Sequence, residues 1–423
     1  MNNITNEISK MEKKITLVRA QGSFVFDDTG HRYIDCTSQA WSNNLGANDP
    51  RVIEAAIAQI RELTHARPTF DTPILLKLNK KMQEVAPENL TQVGYCLHGS
   101  LGGEMAMKLA FKNRPEARNL ITLQDGYHGR SLATLAASWP HPNNPFLPIE
   151  PRVTRVPHPD PYRPRLGMDS EQEVRLCLEL LEDTIRKGVD GPVAAVMMEP
   201  IQGNGGHIEF PRSYYHGVRD ICNRTGALLI FDEVQTGFGR LGTMWASDYY
   251  GVTPDITVFG KGVGGGFPLA GILAHKDLTW FGEGEDALTF GQFPPSLAAA
   301  HATIEAIQND GLCERAAEQG KYATERLLEM QERRKLIGNV RCPGLFVAIE
   351  LVKDRQTKEP ARWAAHQVYL RGIRHGVLFG ESRYLGLGNL IKVKPPLDIS
   401  RELLARSLDV LDEVLGEIED EMS

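Results

Sequence analysis

The segments 227–235, ALLIFDEVQ, and 256–266, ITVFGKGVGGG, decide the fold class of this chain. Each begins with a short run of apolar residues, and each run ends in a charged side chain, Asp232 in the first segment and Lys261 in the second. Runs that are this short and apolar on both faces are typical of parallel strands covered by helices. Because α/β proteins bind ligands at the carboxyl ends of such strands, we expect both side chains in one site.

Three further apolar runs, at 93–97, 119–123 and 193–198, share this pattern and alternate with stretches of helical periodicity. The alternation of strands and helices predicts one α/β domain with a mostly parallel sheet. The stretch 140–165 is rich in proline, which interrupts helices and inner strands. We therefore expect this stretch to form a long surface loop.

The two ends of the chain carry a different pattern. Residues 22–35 alternate apolar and polar side chains around a turn at Asp28–Gly30, which predicts a two-stranded hairpin. After residue 315, a long amphipathic helix, short strands and a final helix predict a smaller α+β domain, which the hairpin completes. We expect three parts, namely an N-terminal segment joining the small domain (1–55), a large α/β domain (56–315) and a C-terminal small domain (316–423).

Composition excludes several classes of protein. The chain has 423 residues and a net charge of −7 without a basic block, so we expect no nucleic-acid partner. No apolar run approaches the ~18 residues of a membrane span, and the N-terminus lacks the apolar core of a signal peptide. The 6 cysteines are scattered, which predicts neither a disulfide framework nor a metal site and fits the cytoplasm.

The position of Lys261 distinguishes it from an ordinary solvated lysine. It follows a buried strand and precedes Gly262, Gly264, Gly265 and Gly266, which allow backbone and ligand to approach closely. Desolvation at such a position favours the neutral amine that Schiff-base chemistry requires. The alternative is a phosphate-binding glycine-rich loop, but its G-x-x-x-x-G-K-[ST] pattern is absent because here the lysine precedes the glycines.

Asp232 lies 29 positions before Lys261, one strand–helix unit away. A helix cap or a structural ion pair would explain a lone aspartate at the end of a buried strand. Beside a Schiff-base lysine, the carboxylate can instead keep a pyridine nitrogen protonated, so that the ring accepts electrons. Gln235 is then placed to reach the phenolic oxygen of the same ring.

Two further strand ends offer groups for an anionic ligand. Gly99 and Ser100 lie just before a predicted helix, so free N–H groups and the helix dipole can hold a phosphate. A serine at this place is more commonly a simple N-cap. Tyr127 can stack on a ring or pack in the core, and Arg130 can hold a carboxylate.

At this point the motifs match a known family. The chain resembles the class III, fold-type-I pyridoxal-phosphate aminotransferases from about residue 20 to about residue 415. The long motifs are specific, because their combination is improbable by chance. They are LLIFDEVQTGFGRLG (228–242), PDITVFGKGVGGGFPLAG (254–271), MMEPIQGNGG (197–206), DGYHGRS (125–131) and IKVKPPL (391–397).

The resemblance implies a role for each matching residue. Lys261 would form the Schiff base and then move the proton, while Asp232 would pair with the pyridine nitrogen. It also implies a homodimer with shared active sites that takes an amino donor and a keto or aldehyde acceptor. The remaining pyridoxal-phosphate contacts would be Gly99 and Ser100 to the phosphate, Tyr127 on the ring face, Glu199 behind the ring, Gln235 at the phenolic oxygen and Thr289 from the partner subunit.

The substrate residues depart from the family pattern. Lys392 stands where many members have an arginine that binds an α-carboxylate, and lysine lacks the bidentate geometry of that arginine. Asn204 replaces the acidic partner of the same arginine. Arg130 is retained and matches an arginine that holds a substrate carboxylate. We expect Trp41, with Phe70 and Trp139, to shape the pocket.

A racemase or epimerase of the same family is the main alternative. The segments 156–164, 328–341 and 349–360 resemble that branch. A two-base racemase needs a second acid or base opposite Lys261, and the matching position is Asn204, whose amide takes no proton at neutral pH. The sequence therefore favours transamination, with racemisation and decarboxylation as alternatives.

Overall fold

The computed structural model describes residues 15–139, 152–382 and 387–422 of the chain. Strands are numbered here in chain order. They are β1 (Leu17–Gln21), β2 (Phe24–Asp27), β3 (Arg32–Asp35), β4 (Gln92–Cys96), β5 (Asn119–Leu123), β6 (Arg152–Val156), β7 (Val193–Met198), β8 (Ile201–Gln202), β9 (Ile208–Glu209), β10 (Leu228–Asp232), β11 (Ile256–Phe259), β12 (Ala270–Ala274), β13 (Ile337–Arg341), β14 (Val347–Leu351), β15 (Val377–Leu378), β16 (Gly380–Glu381) and β17 (Leu390–Val393).

A seven-stranded sheet organises the middle of the chain, in the order β4-β12-β11-β10-β7-β5-β6. All of its strands are parallel except β12, which runs antiparallel between β11 and β4. The inner strands are buried along their whole length, because helices cover both faces. The α/β fold class predicted from the sequence is confirmed, and Asp232 pairs with Val258 in the register that brings it near Lys261.

The antiparallel strand β12 was not predicted from the sequence. Its residues, AGILA, include two alanines and a glycine, which are weak signals for a strand. A Cβ atom at Gly271 would clash with the carbonyl oxygen of Gly94 on β4. The small side chains therefore serve the close approach of two backbones rather than strand propensity.

The prediction of a surface loop for residues 140–165 is wrong at β6. Residues Arg152–Val156 pair in parallel with β5 at the edge of the large sheet. This short run contains no proline, and an edge strand bonds to a neighbour on one side only. The rest of the predicted loop up to residue 151 lies outside the described residues.

Two smaller sheets involve both ends of the chain. The predicted hairpin forms β2 and β3, with a turn closed by the bond from Gly30 N to Asp27 O, and β3 pairs in parallel with β15. The second sheet has the order β13-β14-β17-β16. The apolar side chains of these sheets share one core cluster with part of the large sheet. The domain limits at residues 55 and 315 remain a prediction.

The helix Gly99–Asn113 positions the site because it begins directly after β4. Its residues Gly102 and Gly103 lie against Val258 and Thr134, so the helix packs tightly on the sheet. In the described parts of the chain, none of the helices has the length and apolar character needed to cross a membrane. The helices are Pro50–Glu62, Pro73–Val85, Gly99–Asn113, Leu132–Ala137, Ser170–Asp183, Arg212–Thr225, Ala246–Tyr250, Pro294–Asn309, Leu312–Arg333, Arg362–Arg374 and Arg401–Met422.

Candidate active site

A cavity of about 540 Å³ opens at the carboxyl ends of β4, β5, β7, β10 and β11. Its place at this edge of the sheet is the usual ligand position of α/β folds. The structure brings eight of the residues singled out from the sequence into its wall. They are Gly99, Ser100, Tyr127, Arg130, Glu199, Asp232, Gln235 and Lys261.

Lys261 begins a short helical turn immediately after β11 and Gly260. Its backbone is left-handed, with φ at 47°, a conformation that costs a non-glycine residue about 1–2 kcal/mol. Burial lowers the pKa of the Lys261 ammonium, and the negative charges of Asp232 and Glu199 partly oppose that shift. The cavity wall therefore holds an amine that loses its proton more easily than one in water.

The Asp232 carboxylate is oriented from two sides. His128 Nδ1 lies 2.9 Å from Asp232 Oδ2, and Val234 N donates to Oδ1 over 3.2 Å. The backbone of His128 is fixed in turn by a bond from its N–H to Ser138 Oγ. His128 is buried and belongs to the DGYHGRS motif, yet the sequence alone does not single it out because its partner is 104 positions away.

Glu199 joins two loops of the cavity wall. Its Oε1 accepts the N–H of Tyr127 and its Oε2 accepts the N–H of Gly203, each over 2.9 Å. Burial raises the pKa of Glu199 to about 7, and nearby Asp232 adds to the rise while His128 opposes it. The Glu199 carboxyl group thus links the two loops, and its raised pKa lets it keep a proton up to near neutral pH.

The start of the helix Gly99–Asn113 forms one end of the cavity. Gly99 and Ser100 were expected just before a helix, but they form its first turn, after the N-cap residue His98. N–H groups of a first turn have no acceptor within the helix and attract an anion. Ser100 Oγ accepts the N–H of Arg130 over 3.0 Å, and a Cβ atom at Gly129 would clash with the same oxygen.

Gln235 has a partner that the sequence does not reveal. Its Oε1 accepts a hydrogen bond from Lys394 Nζ over 2.9 Å, and both side chains are buried. Lys394 follows β17 and belongs to the IKVKPPL motif, two positions after Lys392. The sequence could have indicated Lys394 through its spacing of two residues from Lys392, since this spacing places both lysines on one face of the strand.

The predicted substrate residues lie around the cavity rather than in its wall, with the exception of Arg130. Lys392 is 2% exposed, and burial lowers its pKa to about 8. The backbone oxygen of Asn204 accepts the Ser382 hydroxyl over 3.4 Å. The Trp41 ring lies beside Lys394, whose Nζ is 4.4 Å from the ring centroid.

The cavity wall of this chain includes neither the two residues expected to shape the pocket, Phe70 and Trp139, nor Thr289, which the resemblance assigns to the site of the partner subunit. Phe70 is 60% exposed and Trp139 is half-buried, and neither side chain lines the cavity of this chain. Thr289 is exposed and also lies outside the cavity wall.

Comparison with known proteins decides the family. The family model described as Aminotransferase class-III matches residues 7–415. The chain belongs to the class III aminotransferases. The match covers the cavity wall together with both smaller sheets.

This class III aminotransferase is 33% identical to the acetylornithine aminotransferase of Methanosarcina mazei, over 94% of this chain and 91% of that protein. It is also 33% identical to the isoleucine 2-epimerase of Lentilactobacillus buchneri, over 96% of this chain and 90% of that protein. Among solved structures, a pyridoxal-phosphate-bound amine transaminase from an uncultivated Pseudomonas species has a TM-score of 0.89 at 29% identity, with 96% of each chain covered. The protein is a pyridoxal-phosphate-dependent aminotransferase of fold type I.

Proposed function

We propose that this aminotransferase binds pyridoxal phosphate in the cavity through Lys261, and that Lys261 moves the proton of the amino-transfer reaction. The observation that carries this proposal is the placement of Lys261 and Asp232 in one cavity wall, with Asp232 oriented by His128 over 2.9 Å. The amino group would pass from an amino acid or amine to a keto acid or aldehyde.

The cavity fits this cofactor at both of its ends. The first turn of the helix Gly99–Asn113 offers backbone N–H groups to a phosphate, and the lack of a Cβ atom at Gly129 lets its backbone pack directly against Ser100 of that turn. Asp232 offers a carboxylate acceptor for a protonated ring nitrogen. The volume of about 540 Å³ is in the range of small-molecule sites.

Lys261 supplies the base. When bound, pyridoxal phosphate supplies a ring that withdraws electrons from the carbon bearing the substrate amine. Lys261 Nζ, whose pKa burial lowers, would take the proton from that carbon and deliver it to the cofactor carbon that receives the amine. The glycines after Lys261 let this turn pack closely on Asn44, Val52 and Thr303, which fixes the turn that carries Nζ.

Asp232 and His128 act on the ring nitrogen as a pair. The bond from His128 holds Asp232 Oδ2, so the other carboxylate oxygen, Oδ1, can accept the ring N–H in a fixed direction. Glu199 keeps the Tyr127 loop in place, which positions the aromatic ring for a face contact with the cofactor. Gln235 contributes the contact to the phenolic oxygen.

The substrate side of the proposal rests on Arg130, Lys392, Asn204 and Trp41. Arg130 lines the cavity with its guanidinium carbon 5.9 Å from the centroid of the Tyr127 ring, where it can hold a substrate carboxylate. Lys392 adds a buried amine behind the wall. We propose a substrate with at least one carboxylate in one half of the reaction.

We also propose a cytoplasmic homodimer with shared sites. The exposed position of Thr289, outside its own cavity, is what a residue directed at a partner subunit requires. The 6 cysteines are free thiols, which suits a reducing compartment. The division into an N-terminal segment, a large cofactor-binding domain and a C-terminal small domain belongs to the same proposal.

A racemase or epimerase is the second candidate, because identity to the isoleucine 2-epimerase equals that to the acetylornithine aminotransferase. The amide at Asn204 argues against it, since a two-base mechanism needs a titrating group there. The two candidates predict different products from the same amino donor.

A half-reaction tests the choice between the two candidates. It uses purified holoenzyme, which bound pyridoxal phosphate colours yellow, and an amino donor alone. A panel of single-enantiomer amino acids and amines is added without acceptor. Transamination bleaches the yellow band and releases one carbonyl compound per site. Loss of optical purity in the donor, with the yellow band unchanged and no carbonyl product, would instead establish racemisation.

A further inference from the structure

The proposed function assigns no role to Lys394, although this lysine contacts the cavity residue Gln235. Its ammonium is completely buried, donates to Gln235 Oε1 over 2.9 Å, and has no carboxylate among its hydrogen-bond partners in the described residues. We propose that Lys394 is a positioning residue, which fixes the Gln235 amide so that its Nε2 donates to the phenolic oxygen of pyridoxal phosphate. This inference rests on the proposed function of the cavity.

The direction of the amide follows from the chemistry of the two groups. Lys394 Nζ donates to the oxygen of the Gln235 amide, so the nitrogen of the amide must face the other way. Gln235 lines the cavity, and no other hydrogen bond of its side chain is found in the described residues. A Cβ atom at Gly203 would lie 2.6 Å from both Gln235 Nε2 and Gln235 Oε1, so the backbone at 203 packs against the face of the amide and limits its movement.

Two aromatic rings hold the Lys394 ammonium in place. Nζ lies 3.5 Å from the centroid of the Phe346 ring and 4.4 Å from the centroid of the Trp41 ring. Such faces stabilise a buried cation without providing an acceptor that would compete with Gln235. The ammonium is therefore held between the two rings, with the Gln235 oxygen as its side-chain acceptor.

The turn Ser38–Trp41 is built to present the Trp41 ring. All four of its residues have positive φ, from 44° to 67°, a backbone conformation that is unfavourable for residues other than glycine. Asp35 accepts the backbone N–H groups of Thr37 and Gln39, and Ser38 Oγ donates to the carbonyl oxygen of Lys394 over 2.5 Å. The strained turn thus couples the N-terminal segment to Lys394.

The surrounding charges make the ammonium costly to keep. Burial places the pKa of Lys394 well below its usual value, and Lys392, Arg240 and Lys261 lower it further while Glu199 opposes them. The bond to Gln235 and the two ring faces offset part of this cost. The same bond to Gln235 would direct the amide donor toward one oxygen of the cofactor.

A pH titration of the yellow absorbance tests the inference on purified holoenzyme. In Lys394→Met the apparent pKa of the chromophore should rise by about one unit, because the deprotonated chromophore carries more negative charge on the phenolic oxygen and loses a donor there. Gln235→Ala should give a similar rise. The double variant should rise no further, since both substitutions break one interaction.

Lys392→Met is the matched control. It removes a buried ammonium from the same strand face, but Lys392 has no hydrogen bond to Gln235 in the described residues. Its effect on the chromophore pKa should add to that of Gln235→Ala, unlike the effect of Lys394→Met. Lys394→Gln, which keeps a polar group but falls short of Gln235, should reproduce the Lys394→Met shift and guards against a folding defect of the methionine variant.

Two results would overturn the inference. One is an unchanged chromophore pKa in a folded Lys394 variant with normal cofactor content. The other is full additivity of Lys394→Met with Gln235→Ala. Failure of the proposed function gives a different result, because wild-type protein would then show no titrating chromophore, or Lys261→Ala would keep it.

Discussion

Lys261 and Lys394 are two lysines of one site in opposite surroundings. Lys261 lies in the cavity wall on a glycine-rich turn, with the negative charges of Asp232 and Glu199 nearby. Lys394 is sealed from solvent between Trp41 and Phe346. Burial lowers the pKa of both ammonium groups, yet of the two only Lys261 lines the cavity.

The comparison teaches that desolvation alone does not make a lysine reactive. A reactive amine needs a lowered pKa together with access for a substrate, and Lys261 has both because it is desolvated in the wall of the cavity. A lysine held by two rings and one amide cannot reach a substrate. Its charge acts through the partner that it orients.

The largest effect should separate the two lysines directly. Lys261→Ala should lower kcat by about 10⁴-fold, since it removes the base and the bond to the cofactor. Lys394→Met should keep turnover, because the amine at position 261 remains. Steady-state rates with a saturating donor and acceptor measure both, and the exposed Lys276→Ala serves as control. Equal losses in the two variants would break the comparison.

A glycine substitution should sharpen the contrast at the anion end of the cavity. Gly129→Ala should destabilise the protein by about 2–4 kcal/mol and weaken cofactor binding, because its Cβ clashes with Ser100 at a φ of 141°. Gly191→Ala also has a positive φ, 85°, but meets no atom within 4 Å, so it should cost only about 1 kcal/mol. Urea unfolding and cofactor titration measure the two effects. Wild-type cofactor affinity in Gly129→Ala would contradict the assignment of this end to the phosphate.

The smallest effect concerns Glu199, whose charge opposes the fall in the pKa of Lys261. Folding raises the pKa of Glu199 from 4.5 to about 7, so its contribution to stability is complete below pH 4.5 and is lost as the pH rises through 7. When the pH rises from 5 to 8, the free energy of unfolding of wild type should therefore fall by about 2 kcal/mol more than that of Glu199→Gln.

Urea unfolding of the cofactor-free protein at the two pH values measures this difference. Glu88→Gln, at an exposed carboxylate, is the control and should follow the wild-type curve. A Glu199→Gln protein with the wild-type pH dependence would show that the carboxyl group is ionised in the folded chain over this range. The interpretation of Glu199 as a group that holds its proton near neutral pH would then be wrong.

Much of the fold was predictable because its strands are local and fully apolar. The runs at 119–123 and 193–198 match β5 and β7 residue for residue. The strands β6 and β12 were not predicted, since a short edge run and a small-residue strand have no distinct local signal. Their pairing with β5, β11 and β4 depends on neighbours that are distant in the chain.

The candidate site divides in the same way. Lys261, Asp232 and Glu199 each follow an apolar strand, so strand ends alone place them at one edge of the sheet. His128 and Lys394 contact Asp232 and Gln235 from 104 and 159 positions away. No periodicity in the chain encodes such a pair, because each partner follows the pattern of its own element.

The sequence by itself determined the α/β class, the cavity lysine and the aspartate opposite it, because hydrophobic period and strand ends are local properties. Only the tertiary structure decided which groups orient these side chains. Lys394 contacts the rings of Trp41 and Phe346 and donates to Gln235, and these residues come from segments that lie far apart in the chain. Packing brings these segments together, and the strength of a buried charge depends on all of its neighbours at once.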